Sequence, residues 1–210
     1  MFDPGCTLCP RLADYLAQLK NEYPAYHAAP VGPFGDAAAK LLIVGLAPGM
    51  HGANATGRPF TGDASGKLLF EALFRYGFSS SPRSLSVDDG LQLKGCRITN
   101  AVKCLPPQNR PLTSEINQCN RFLVSEIETL GEGAVIMALG SIAHTAILKS
   151  LGLKQSAFKF GHNHLYKLPT GHYLIDSYHC SRYNLQTRRL TDKMFYAVFA
   201  RSRDLIDGEQ

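Results

Sequence analysis

The sequence predicts an α/β fold, a three-layer sandwich in which helices flank a central, mostly parallel sheet of four strands. Two observations lead to this fold class. Four short apolar runs are typical of buried strands, and the longer segments between them carry apolar residues at helical spacing. Because strands that alternate with helices are joined by right-handed crossovers, the sheet is expected to be parallel and covered on both faces.

The four predicted strands are short and apolar. They are residues 40–46, 97–102, 134–139 and 173–177. The first strand stops at Ala47-Pro48-Gly49, a combination that is typical of a tight loop. The second runs into Pro106 and Pro107, which end a strand because proline lacks a backbone N–H.

The helices are predicted at residues 64–76, 113–130, 141–151 and 187–205, and residues 50–62 are predicted to form a loop. Asp63 and Thr113 are residue types that cap helix N-termini, and Gly77 is a suitable stop for the first helix. Ligands of parallel sheets bind at the carboxyl ends of the strands. The loops after the first, second and fourth strands are therefore the expected location of a site.

The composition is that of one globular domain spanning residues 1–210. Hydrophobic residues make up 45% of the chain and charged residues 19%, which is too apolar for a disordered protein. No apolar run approaches the roughly 18 residues of a membrane-spanning helix, and the first residues lack the pattern of a signal peptide. A cytoplasmic location without membrane contact is therefore expected. The net charge of +5 favours a polyanionic partner.

The loop after the first strand is long, polar and rich in glycine, so that its backbone can approach a ligand closely. It is neither a P-loop nor a dinucleotide fingerprint, because the spacing of its glycines fits neither motif. An unstructured stretch from Pro48 to Asp63 in a compact domain is usually functional. Phe60 within it either plugs the core or offers a face on which a planar ligand stacks.

The loops after the second and fourth strands carry polar groups at strand ends. Asn100 presents the donor and acceptors needed to read an amide-containing base edge, although it could equally cap a turn. His179, Ser181 and Asn184 follow the fourth strand, and a basic stretch begins at Arg182. Such a stretch is usually a solvated face, but next to this loop it suits the positioning of phosphates.

The six cysteines do not suit a disulfide framework in a chain without a secretion signal. Cys6-x-x-Cys9 has chelate spacing, and Cys104 and Cys119 complete a set of four thiolates. A zinc ion and an iron–sulfur cluster are both compatible with this spacing, and packed free thiols are the alternative.

Three motifs resemble those of the uracil-DNA glycosylase superfamily, and within it those of family 5, the type B iron–sulfur enzymes. They are GLAPGMHGANATGRPFTGDASG at residues 45–66, ITNAVKCLPP at residues 98–107 and HCSRYN at residues 179–184. Cys6, Cys9 and Cys119 fall where this family has its remaining cluster ligands. The resemblance spans nearly the whole chain. One departure is Cys180, at a position where the last motif usually has proline.

The resemblance implies roles for individual residues. Phe60 looks like the aromatic that stacks on the extruded base, Asn100 like the amide that reads the pyrimidine edge, and His179 like the imidazole that holds O2 of the departing base. Ala47 stands where another family of the superfamily has an aspartate that positions water, and in family 5 the nearby carboxylate, here Asp63, has been considered for that task. The residues assigned to substrate binding are Gly45, Ala47, His51, Phe60, Asn100, Ser181 and Asn184.

The family resemblance also implies a cofactor, an activity and a partner. Cys6, Cys9, Cys104 and Cys119 look like the thiolates of a 4Fe–4S cluster, so that the domain begins with a cluster-binding segment. The implied activity is that of a monofunctional DNA glycosylase in base excision repair, which acts as a monomer on double-stranded DNA containing uracil. Single-stranded DNA and other deaminated or damaged bases are further candidate substrates. The alternatives are a weak or inactive DNA-binding module of the same fold and a zinc-stabilised domain that binds a mononucleotide.

Overall fold

The structure is a computed structural model that describes residues 1–208. Residues 209 and 210, the last two of the predicted domain, lie outside the described residues. The helices within the described range are α1 Pro10–Glu22, α2 Ala53–Thr56, α3 Ala64–Arg75, α4 Thr113–Ile127, α5 Ser141–Ser150, α6 Arg182–Gln186 and α7 Asp192–Asp207. The strands are β1 Phe34–Gly35, β2 Leu41–Gly45, β3 Cys96–Asn100, β4 Val135–Leu139, β5 Leu165–Lys167 and β6 Tyr173–Ser177.

The sheet has the strand order β1-β3-β2-β4-β6-β5. Its four inner strands are parallel and correspond to the four predicted strands, which confirms the predicted α/β class with helices on both faces. The predicted number of strands was too low, because β1 and β5 pair antiparallel at the two edges. These edge strands contain two and three residues, too few for a periodic sequence signal.

The helices differ from prediction at several places. Helix α4 ends at Ile127 instead of residue 130, and Leu112 instead of Thr113 is at its N-cap position. Helix α1 was not predicted, and α2 is a single turn inside the predicted loop 50–62. The predicted helix 187–205 begins only at Asp192, because the side chain of Thr191 caps α7 by accepting the N–H of Met194. The separate short helix α6 precedes it, and Arg188 between the two helices has a left-handed φ of 55°.

Both faces of the sheet are buried. Side chains alternate along β2, so that Leu41 and Ile43 pack on the side of α3 and α7, whereas Leu42 and Val44 pack on the side of α4 and α5. Burial on both faces explains why the inner strands are apolar throughout rather than alternately polar. Helix α1 covers α4 from outside with three buried leucines, Leu12, Leu16 and Leu19.

The strand order changes direction at β2, which has β3 on one side and β4 on the other. Loops that leave neighbouring strands at such a point turn to opposite faces and leave a crevice at the carboxyl edge. Within the described part of the chain, no helix has the length and apolarity needed to cross a membrane.

A half-buried ion pair ties the loop after β2 to the loop before β3. Arg58 Nη2 lies 2.9 Å from Asp89 Oδ1, and the Arg58 guanidinium stacks on the ring of Phe34. Burial acts to raise the pKa of Asp89, but backbone N–H donors such as that of Leu85, together with Arg58, outweigh it and lower the pKa to about 2. The ionised carboxylate therefore contributes to holding the two loops together.

Replacing Asp89 with asparagine is expected to destabilise the fold at neutral pH by about 1 kcal/mol, because solvent partly screens the hydrogen bonds and the ion pair of this carboxylate. An aspartate has a pKa of about 3.9 in an unfolded chain, so the contribution is present above that pH and is lost as the pH falls towards 2. Urea unfolding of both proteins between pH 7 and pH 3 should show the difference shrinking with acid. Asp88→Asn at the exposed neighbouring carboxylate is the control, and equal stability of D89N and the parent would contradict this prediction.

Candidate active site

The loops that follow β2, β3 and β6 enclose one pocket at the carboxyl edge of the sheet. Its volume is about 370 Å³, within the range of small-molecule sites. The lining residues are Leu46, Ala47, Gly49, Ala53, Phe60, Asp63, Ala64, Ser65, Asn100, Asn109, His179, Ser181 and Arg182.

Most of the predicted catalytic and substrate-binding residues meet in this pocket, and three do not line it. Gly45 lies behind the side chains of Asn100 and Phe60. His51 is exposed outside the pocket, where its Nδ1 lies 2.8 Å from the hydroxyl of Tyr26. Asn184 turns its amide away and donates to the carbonyl of His179 over 2.8 Å. The roles predicted for these three residues remain predictions.

Phe60 forms one wall of the pocket and also belongs to the core. It is 7% exposed, packs in the cluster of α3 and α7, and its ring lies nearly parallel to that of His179, with 6.0 Å between centroids. Its φ of 54° is left-handed, and its carbonyl lies so close to Gly66 that any side chain there would collide with it. The ring is therefore held rigidly and still presents a surface to the pocket.

Asn100 forms the floor of the pocket at the end of β3. It is 2% exposed, and its Oδ1 has no hydrogen-bond partner among the described residues. A buried acceptor without a donor lowers the stability of the fold. An oxygen of this kind at the wall of a pocket is therefore suited to accept a hydrogen bond from an N–H group of a ligand. A Cβ on Gly45 would lie 2.5 Å from this oxygen and 2.7 Å from Phe60 Cζ, so only glycine leaves room for both side chains.

His179 follows β6 and lines the pocket together with Asn100 and Phe60. Burial lowers the pKa of this imidazole, and the negative charge of Asp63 opposes that shift only in part. The ring is therefore neutral at pH 7 and has one N–H to donate. Ser181 caps α6 by accepting the N–H of Asn184, whose amide in turn holds the His179 carbonyl, so both residues fix the loop.

The two carboxylate oxygens of Asp63 have different surroundings: one caps a helix and the other lies at the pocket. Oδ1 caps α3 by accepting the N–H of Gly66 over 2.9 Å. Oδ2 lies against Gly49 and Gly52, where a Cβ would approach it to 3.3 and 2.6 Å. The second oxygen is thus available at the wall of the pocket, beside the uncharged Ala47.

Asn109 also lines the pocket, as does Arg182. The sequence did not indicate Asn109 as a site residue. Asn109 and Gln108 both have a φ of 56°, which is unusual for two consecutive residues other than glycine. The preceding Pro106 and Pro107 indicated a loop but gave no sign that it would fold over the pocket. Backbone strain of this kind is not visible in a sequence.

A second cavity is lined by Cys6, Cys9, Cys104 and Cys119, together with apolar residues of α1 and α4. All six cysteines are free, and Cys96 and Cys180 are buried elsewhere in the core. Burial raises the pKa of Cys104 to about 12 and that of Cys119 to about 11, and the neighbouring thiols add to the shift of Cys104. The backbone N–H of Lys103 donates to Cys119 Sγ over 3.2 Å.

The fold and the pocket together define a class of protein. An α/β sheet with a crevice at its switch point, in which an aromatic ring, an unpartnered amide and a neutral imidazole face one another, is built to hold a flat ring with hydrogen-bonding edges.

Comparison with known proteins agrees with this class. The model of the uracil DNA glycosylase superfamily matches residues 33–202. The chain is 47% identical over 206 residues to the type-5 uracil-DNA glycosylase of Thermus thermophilus, covering 96% of this chain and 94% of that protein. It is 44% identical to the type-5 enzyme of Pyrobaculum aerophilum, covering 94% and 88% of the two chains, and 39% identical to that of Mycobacterium leprae, covering 95% and 91%. The chain belongs to the uracil-DNA glycosylase superfamily.

A methyl group at Gly45 is expected to disable the pocket while the protein stays folded. Gly45→Ala should displace the Asn100 amide and the Phe60 ring, and misplacement of about 1 Å at a reacting site costs about 10²-fold in rate. Overpacking should cost about 1–3 kcal/mol of stability. Single-turnover release of uracil and urea unfolding measure the two effects. Gly131→Ala, at a glycine with open space around it, is the matched control, and an undiminished rate in G45A would contradict this account.

Proposed function

We propose that this protein is a monofunctional uracil-DNA glycosylase, which hydrolyses the N-glycosidic bond of deoxyuridine in DNA and leaves an abasic site for base excision repair. The observation that carries the proposal is the buried Asn100 Oδ1, which has no hydrogen-bond partner among the described residues and lines one pocket together with the Phe60 ring and the His179 imidazole. The similarity to type-5 uracil-DNA glycosylases over nearly the full length of each chain supports it.

The target nucleotide has to leave the duplex before it can enter the pocket. Unstacking costs a few kcal/mol and is least costly for a mispaired base, which favours uracil opposite guanine. Stacking on Phe60 recovers about 1–3 kcal/mol of that cost. In the pocket, Asn100 Oδ1 accepts the N3–H of uracil and the amide nitrogen donates to O4, whereas cytosine offers neither arrangement.

Bond cleavage moves negative charge onto the base and positive charge onto the sugar. The neutral His179 donates its N–H to O2 and stabilises the leaving anion, a type of contact worth about 10²–10³ in rate. Asp63 Oδ2 faces the sugar side and orients the water that attacks C1′. The water proton leaves to solvent, and the released base takes up a proton.

A lyase step that cuts the DNA strand would need an amine in the pocket. Among the described residues that line the pocket there is no lysine. Lys103, the one lysine in the second motif, lies beneath the pocket and bonds to Thr99 and Asn100. The proposed enzyme therefore stops at the abasic site.

The proposed partner is double-stranded DNA containing uracil, bound by a monomer, and single-stranded DNA is a second substrate. Arg182 at the pocket mouth and the exposed Arg188 and Arg189 beside it offer positive charge to the phosphates that flank the target nucleotide. The net charge of +5 suits a polyanion.

The proposed cofactor is a 4Fe–4S cluster held by Cys6, Cys9, Cys104 and Cys119. Four thiols around one apolar cavity form the donor set of such a cluster. A zinc ion bound by the same four thiolates is the alternative, and the iron, sulfide and zinc content of the purified protein distinguishes the two. The cluster would cross-link the segment before α1, the loop after β3 and α4.

Incubation with a duplex that contains one uracil opposite guanine, followed by hot alkali, tests the proposed activity. Strand scission at the uracil, absent from the same duplex with cytosine in its place, is the expected result. Tight binding without scission would instead indicate a DNA-binding module that has lost its activity, which Ala47 and the altered last motif make the principal alternative. If the protein instead contained zinc and bound a free mononucleotide, it would be a zinc-stabilised domain that binds mononucleotides.

His179 is expected to matter more for the rate than Asp63, because the leaving anion needs stabilisation throughout whereas the electrophilic sugar reacts readily with water. His179→Ala should lower the single-turnover rate by about 10²–10³-fold. Asp63→Asn, which retains the cap on α3, should lower it less. Both variants are compared on the same duplex after their iron content has been checked. A larger loss in D63N would show that water activation limits the rate, since general-base catalysis contributes up to about 10⁴-fold.

Removing one proposed cluster ligand is expected to remove the cluster and most of the soluble protein, because ligation is coupled to folding. Cys104→Ala should lose iron and sulfide by chemical analysis and lose its visible absorbance. Cys96→Ala, at a buried cysteine far from the cavity, is the control and should retain both. A well-folded C104A protein with its full complement of iron would rule out this ligand set.

A further inference from the structure

Lys103 is a charged residue in an unusual place. Its side chain is 1% exposed, and its ammonium group lies directly beneath the floor of the pocket. Nζ donates to the hydroxyl of Thr99 and, over 2.9 Å, to the carbonyl of Asn100, both at the end of β3. All polar contacts of the ammonium therefore lie within the protein.

Glu126 on α4 holds the other side of this ammonium. Its Oε1 lies 2.7 Å from Lys103 Nζ, in ion-pair contact outside regular hydrogen-bond geometry. Among the described residues the two Glu126 oxygens have no hydrogen-bond partner, so Lys103 is what neutralises this carboxylate. The backbone N–H of Lys103 also donates to Cys119 Sγ, again on α4. One residue thus connects the floor of the pocket to α4 by both its side chain and its main chain.

Stability alone does not account for such a pair. Apolar side chains of similar volume usually stabilise a core as well as a buried ion pair does, because two charges lose their hydration. What an apolar pair would not supply is a donor for the Asn100 carbonyl. This carbonyl is at the last residue of β3, where the backbone of the sheet ends, and a buried carbonyl without a donor would reorient.

We propose that Lys103 is a positioning residue for base recognition: its ammonium, fixed by Glu126, sets the orientation of the Asn100 peptide and through it the direction of the Asn100 amide. The proposal deepens the proposed function and rests on it. Lys103 does not line the pocket, so it acts through Asn100 and does not touch the substrate.

The test separates positioning from stability by comparing two variants. Lys103→Met alone leaves Glu126 charged and buried, and should lower the thermal midpoint. The double variant Lys103→Met/Glu126→Leu should recover most of the midpoint and keep its iron. It should nevertheless release uracil about 10²-fold more slowly than the parent, because the Asn100 amide is misdirected. A double variant as fast as the parent would overturn the proposal.

A double-mutant cycle shows whether the Lys103–Glu126 pair influences the rate of uracil release through Asn100. In an Asn100→Ala background the double substitution has no amide left to misdirect, so it should change the rate less than about twofold. An equal loss of rate in both backgrounds would show that Lys103 acts only through general structure, and would overturn the proposal.

Hydrogen exchange gives a readout that does not depend on activity. In the double variant the amides of residues 99–102 should exchange faster than in the parent, whereas those of β4 at Val135–Leu139 should not change. Unchanged exchange at residues 99–102 would overturn the proposal even if the parent released no uracil. Failure of the parent to release uracil would by itself refute only the proposed function.

Discussion

The site depends on the absence of a side chain at Gly45, which leaves room for the side chains of Asn100 and Phe60. The parallel register places Gly45 of β2 opposite Asn100 of β3, and the Phe60 ring reaches the same point from the following loop. Because glycine has only a hydrogen atom at this position, the Asn100 amide and the Phe60 ring can both lie next to it. The rest of the site positions the groups around that volume: a rigid loop holds the Phe60 ring, a fixed peptide holds the Asn100 amide, and the His179 imidazole lines the same pocket.

Each of these three groups is held by its own polar contacts, which are buried or partly buried. The loop of Phe60 is tied down by Arg58 and Asp89, the Asn100 peptide by Lys103, and the His179 carbonyl by the amide of Asn184. Directional bonds fix orientation, which packing alone does not, and recognition of a planar base depends on orientation.

The sequence predicted the parallel core of the fold and the groups in the pocket, because both leave local signals. Apolar runs defined the four inner strands, and the glycine-rich or polar segments at their carboxyl ends contained Phe60, Asn100 and His179. Two features escaped prediction for physical reasons. The edge strands β1 and β5 are defined by their partners rather than by their own residues. The left-handed backbone that brings Asn109 to the pocket arises from the folded loop and has no local signature.

The replacement of the usual proline by Cys180 changes how the His179 loop is restrained. A proline ring limits the chain before it folds, whereas Cys180 restrains the loop only by being fully buried and by donating its thiol to the Ser65 carbonyl over 3.4 Å. Ser65 lies in the first turn of α3, two residues after Asp63. This contact of Cys180, the neighbour of His179, with the first turn of α3, which Asp63 caps, links the positions of the two groups assigned to the chemistry.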